Sequence, residues 1–156
     1  MNSKTMLSVA IMEATLGFNG VYDKGGNPYI LHCFAVMHKL RTKDDELRQI
    51  AILHDIIEDC KYTKMTYKRL VELGFSDRVI DAVRCLSKVP GETYEEYKDK
   101  VKSNIDAILV KMADLQHNSD VRRLKGITQK DQERIAKYHQ FHMELEQIVS
   151  ARLHQK

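Results

Sequence analysis

Apolar side chains recur at three- and four-residue spacing along nearly the whole chain, while the two-residue alternation of a half-buried strand is scarce. The pattern predicts an all-α fold, a compact helical bundle of seven or eight helices. A first helix is expected over about residues 3–16, followed by a glycine-containing loop from Gly17 to Gly26. Asn27-Pro28 is a suitable N-cap and first-turn pair for a helix reaching about Arg41. The next helix should start near Asp44-Asp45, whose acids suit the positive end of the helix dipole, and run to about Asp59. Thr66–Leu73 reads as a short helix stopped by Gly74. Ser76 should cap a helix to about Ser87, and Pro90-Gly91 breaks the chain. Thr93 with Glu96 forms a capping box for a helix to about Ser103. The strongly apolar IDAILVKMADLQHN should be a central helix. Gly126 ends the turn after it, and Thr128 opens a long C-terminal helix.

The bulk numbers narrow the class. With 156 residues, 43% hydrophobic and 30% charged, the chain suits one soluble globular domain spanning 1–156. No apolar run approaches the roughly 20 residues that cross a membrane. Three widely separated cysteines argue against a disulfide framework and for a reducing, cytoplasmic setting. A net charge of +3 suits an anionic small molecule and does not indicate nucleic-acid binding. The sequence leaves the oligomeric state open.

The departures from the helical pattern carry the chemistry. In ILHDIIEDC, His54 falls on the core-facing stripe marked by Leu47, Ile50 and Ile57, and three acids follow it within five positions. Burying ionisable groups without partners costs several kcal/mol, so such a cluster needs a cation or a dense hydrogen-bond network. Two other apolar helices hold similar intruders: His32 in PYILHCFAVMHKL and Asp114 in LVKMADLQHN. Two imidazoles with carboxylates form a mixed nitrogen–oxygen donor set that suits Mn²⁺, Fe²⁺ or Zn²⁺. Adjacent helical residues project about 100° apart. Both members of His54-Asp55 can therefore reach one ion, with His32 and Asp114 supplied by neighbouring helices.

The order H…HD…D is the pattern of the HD-domain metal-dependent phosphohydrolases. The stretches KGGNPYILH, HDIIEDC and VKMADLQHN resemble three signature stretches of the hydrolase domain in the RelA/SpoT stringent-response family, which includes small stand-alone alarmone hydrolases. The resemblance runs from about Leu7 to Leu124. It implies that His32, His54, Asp55 and Asp114 hold one Mn²⁺, and that Glu58 and Asp59 orient and activate the attacking water. It implies that Asn118 contacts the ribose and that Lys24 matches a basic position of the loop before PYILH. The implied reaction removes pyrophosphate from the 3′ side of guanosine tetra- or pentaphosphate. Asp23 stands where relatives usually carry an arginine that stacks on the guanine, Phe18 where they carry histidine, and Val21 where they carry glutamine. Lys111, three residues before Asp114, and the segment Arg122-Arg123-Lys125 are further candidates for phosphate charge. His117 suits a supporting role behind the ligands. His139 and His142 read as a solvated face. Two alternatives stay open: the same chemistry on another nucleotide, such as a 5′-nucleotidase, and a regulatory module that keeps the metal without turnover.

Overall fold

The computed structural model describes residues 2–61 and 64–154. The first helix, α1 (Ser3–Gly17), buries Met6, Ala10, Ala14 and Gly17, one residue per turn. Ala10, Ala14 and Gly17, with little or no side chain, let it lie close against α3 (Asp45–Leu53). Residues 18–29 then return the chain to α2 (Ile30–Lys39). A one-turn helix, α4 (Ile56–Asp59), comes directly after α3. Next are α5 (Tyr67–Leu73), α6 (Asp77–Leu86) and α7 (Tyr94–Lys102). The chain finishes with α8 (Ile105–Asn118), a 3₁₀ turn at Val121–Arg123, and the long α9 (Gln129–Leu153). Among the described residues there are nine α-helices, or eight when α3 and α4 count as halves of one. Their extended pairing is confined to the bridge between Tyr22 and Pro28. No described helix is long and apolar enough to cross a membrane.

The expected helix starts and stops mostly hold, because the capping chemistry is local. Thr66, Ser76, Thr93, Asn104 and Thr128 each accept a backbone N–H of the first turn. Gly74 ends α5 at φ 91°, a left-handed conformation that costs glycine little. Two boundaries differ. Asn27 does not cap α2: the helix starts only at Ile30, and Asn27 donates to the carboxylate of Asp23 inside the loop. The cap position falls to Tyr29, which makes no side-chain capping bond. The helix expected to run from Asp44 to Asp59 is interrupted at His54-Asp55, where Asp55 leaves helical geometry at φ −107°, ψ 4°. The interruption shifts the helical phase of α4, so Ile56 is fully buried and Ile57 only partly so.

Two helices share the centre. α3 packs against α1, α2, α6 and α8, and α8 against α2, α3, α6, α7 and α9. Ile50, Ile52, Leu53, Ile56, Ile108 and Leu115 are almost wholly removed from water. Each such side chain contributes roughly 1.5–3 kcal/mol of burial. Because α2, α3 and α8 each touch the other two, any polar groups on their shared seam are forced together.

Candidate metal centre

That seam is where the intruding residues meet. His32 comes from the first turn of α2, His54-Asp55 from the break after α3, and Asp114 from the last turns of α8. One ligand atom from each of the four lies within 4.8 Å of all the others. His32 Nε2 is 3.0 Å from Asp114 Oδ1 and 3.3 Å from His54 Nε2. His54 Nε2 is 2.8 Å from Asp55 Oδ2. His32, His54 and Asp114 are buried, while the Asp55 side chain is 20% exposed and opens the cluster on one side.

The partners behind these atoms decide which lone pairs face inward. His54 Nδ1 lies 2.8 Å from the carbonyl of Ala51, which can only accept, so that nitrogen carries the proton and Nε2 is left to the cluster. His32 Nδ1 lies 2.7 Å from His117 Nδ1, with the two rings stacked. Burial and the nearby Arg123 push His117 down to about 4, so it is neutral, and the tautomer with the shared proton on His32 Nδ1 is the one that suits a metal ligand. In that tautomer the lone pair of His32 Nε2 faces the cluster. Asp114 Oδ1 accepts from Asn118 Nδ2 at 2.7 Å, and Oδ2 accepts from Lys111 Nζ at 2.8 Å. Asp55 Oδ2 accepts from the Tyr29 hydroxyl at 2.5 Å.

The two carboxylates dominate the electrostatics. Burial alone would raise Asp55 and Asp114, yet Asp55 falls to about 2 beside His54, and Lys111 holds Asp114 well below the usual carboxylate range. Burial alone would discharge His54, but Asp55 and Asp114 overcome it and hold a proton there well above the ordinary imidazole range. The cluster thus attracts positive charge strongly enough to charge a buried histidine. Two imidazole nitrogens and two carboxylate oxygens aimed at one point fit a divalent cation, which would displace that proton. The four residues could hold a metal ion.

Glu58 and Asp59 lie beyond the break, on the solvent side of α4. Glu58 Oε1 accepts the backbone N–H of Lys88 at 2.7 Å, which ties α4 to the segment after α6. Desolvation, with the charge of Asp55 nearby, raises both acids above the ordinary range. Beside the cluster a cleft of about 270 Å³ is lined by Lys24, Tyr29, Asn118, Arg123 and Tyr138, among others. Lys24 lines it with no ion pair among the described residues. Lys111 sits instead at Asp114, over the ring of Tyr97 at 5.4 Å. Arg122 is 87% exposed and paired with Asp120, so of the basic segment Arg123 is the residue that reaches the cleft.

No protein-family model matches the chain. It is 33% identical over 137 residues to a guanosine-3′,5′-bis(diphosphate) 3′-pyrophosphohydrolase of Haemophilus influenzae, covering 81% of this chain and 20% of that one. It is 31% identical over 144 residues to the bifunctional (p)ppGpp synthase/hydrolase SpoT of Escherichia coli, covering 84% and 20%. The chain therefore spans about a fifth of the length of these relatives. Among solved structures it superposes on a metazoan ortholog of SpoT described as hydrolysing ppGpp, with a TM-score of 0.68, 19% identity and 94% of each chain covered. The fold is that of the RelA/SpoT HD-domain hydrolases. At the break the His54-Asp55 doublet faces α2 and α8, with Asp55 Oδ2 3.9 Å from His32 Nε2 and His54 Nε2 3.5 Å from Asp114 Oδ1.

Tyr29, which has no place among the sequence-based candidates, stands three residues before His32, so the two share a helix-entry face. That spacing is the signal by which it could have been found. The bond between Glu58 and Lys88 had none, since it joins segments remote along the chain.

Proposed function

We propose that this chain is a Mn²⁺-dependent phosphohydrolase that removes pyrophosphate from the 3′ position of guanosine 3′,5′-bis(diphosphate). The observation that carries the reading is the convergence of four metal-type donors from three helices beside a cleft lined by Lys24. The names borne by the relatives support the substrate. In this reading His32, His54, Asp55 and Asp114 hold one Mn²⁺, with Fe²⁺ or Zn²⁺ as chemical alternatives. A bound divalent ion lowers the pKa of water toward 7 and screens the phosphoryl oxygens. The chain supplies the rest. Glu58, kept in position by the Lys88 N–H, takes the proton of the attacking water, and Asp59 helps orient that water. Lys24 meets the substrate's phosphates and Asn118 its ribose. Lys111 acts on Asp114 rather than on substrate: it neutralises one oxygen and leaves the other for the ion.

A second reading keeps the chemistry and changes the nucleotide. It is favoured by Asp23, an acid in the cleft wall where relatives carry an arginine. Incubation with Mn²⁺ and a panel of nucleotides decides between them. The first reading expects pyrophosphate and a guanosine 5′-diphosphate product from guanosine 3′,5′-bis(diphosphate). Orthophosphate from a 5′-monophosphate, with that substrate untouched, would replace it by the second.

A further inference from the structure

Two walls of the cleft are far apart in the chain, and Arg123 joins them. One wall is the loop of residues 18–29, closed on itself by the Tyr22–Pro28 bridge and by the Asp23 N–H donating to the Asn27 carbonyl at 2.9 Å. It carries Tyr22, Asp23 and Lys24 to the cleft. The other wall is the end of α8 and the 3₁₀ turn, with Asn118 and Arg123. Arg123 Nη2 donates to Asp23 Oδ2 at 3.1 Å, and the two side chains are only 19% and 11% exposed. Water and salt screen so enclosed a pair less than a surface one.

The same guanidinium reaches inward. Its Nη1 donates to the His117 carbonyl and to Asn118 Oδ1, both at 3.0 Å. Arginine has no acceptor, so it forces the oxygen of the Asn118 amide outward and the NH₂ toward Asp114. Asn118 Nδ2 then donates to Asp114 Oδ1 at 2.7 Å, the oxygen that faces His32. A second contact is independent of charge. A Cβ on Gly25 would lie 2.5 Å from the backbone carbonyl of Arg123, so the loop backbone is pressed against the turn and only glycine fits there.

We propose that Asp23 and Arg123 form a latch that closes the cleft loop onto the end of α8, and that Arg123 is thereby a positioning residue for Asp114 through Asn118. The latch makes the order of the cleft wall and the aim of one metal-type donor parts of one hydrogen-bonded chain. The kinetic consequence rests on the hydrolase reading; the structural one does not.

The test therefore has two arms. In the first, hydrogen exchange is followed in the apo protein for the amides of residues 18–29. In Asp23→Asn the one remaining oxygen serves Asn27 or Arg123 but not both. That variant, Arg123→Gln and Gly25→Ala are each expected to speed exchange in the loop about tenfold while α3 stays protected. The double variant Asp23→Asn/Arg123→Gln should exchange no faster than Arg123→Gln alone. Loop exchange unchanged in Asp23→Asn and in Arg123→Gln, or additive in the double, overturns the latch. In the second arm, Mn²⁺ and guanosine 3′,5′-bis(diphosphate) are the probes. Asp23→Asn should chiefly raise KM, whereas Arg123→Gln should raise KM and also lower kcat by about tenfold. An equal loss of kcat in the two variants overturns the positioning role. A wild-type protein without turnover would sink the hydrolase reading and leave the exchange arm to decide the latch.

Discussion

Tyr29 shows how much of the candidate site is held by groups outside the four donors. Its hydroxyl donates to Asp55, the donor most open to solvent, and its ring packs against those of Phe18 and His32. Tyr29→Phe removes that bond alone, at about 1.5–3 kcal/mol for a bond to a charged acceptor, and should weaken Mn²⁺ binding about tenfold. Isothermal titration checks this; unchanged affinity would mean that Asp55 orients itself. Glu58 makes a pH prediction. Desolvation raises its pKa in the folded chain, and the Lys88 N–H only partly offsets that. A general base must be ionised, so kcat should fall on the acid side through a pKa above the ordinary glutamate range. Glu58→Gln should lose about 10²–10³-fold of turnover, together with that limb of the pH–rate profile. It should not lower Tm at neutral pH. A carboxyl whose folded pKa is raised favours folding when protonated and costs stability as pH rises through it. A normal rate in Glu58→Gln would remove the general-base role. At this scale the residue types were legible in the sequence, because His32, His54 and Asp114 interrupt apolar runs. Of their supporting partners Lys111 stands in plain view, three residues before Asp114 on the same helix, whereas the bonds of Tyr29 to Asp55 and of Arg123 to Asp23 join segments remote along the chain.

Among the elements, the break between α3 and α4 matters most. A continuous helix from Asp44 to Asp59 is the natural expectation, since its apolar period is unbroken through ILHDII. The unwinding at Asp55 is a tertiary effect. His54 Nδ1 bonds back to the Ala51 carbonyl, and the doublet turns toward His32 of α2 and Asp114 of α8. The caps of α5, α6, α7 and α9 were legible because each is settled within one turn by a Ser or Thr oxygen. The start of α2 was not, because the loop runs on past Asn27 and the helix begins at Ile30 with no side-chain cap to mark it. Since α3 supports the doublet from below, Ile50→Ala, at a side chain wholly removed from water, should cost about 2–5 kcal/mol. Urea unfolding measures that, and a loss well under about 1 kcal/mol would show that α3 is not a central core helix.

For the whole molecule, the helical class and the central role of α8 followed from the pattern of apolar positions. The equal centrality of α3 did not, because it depends on the small-residue face of α1 lying against it. The packing of α2, α3 and α8 also builds a site that attracts positive charge, and that has a consequence for stability. An ion that binds only the folded chain adds about 2.7 kcal/mol at a hundredfold excess over its Kd, or roughly 5–10 °C in Tm for a chain of this size. Chelation should reverse the shift, and a Tm indifferent to both would argue against a site assembled by folding. The most direct measurement is an equilibrium Mn²⁺ titration read by electron paramagnetic resonance on the wild type and on Asp114→Ala. The account predicts one tight ion per wild-type chain and none of comparable affinity in the variant. Equal binding by the two proteins, or no tight site in the wild type, would contradict it.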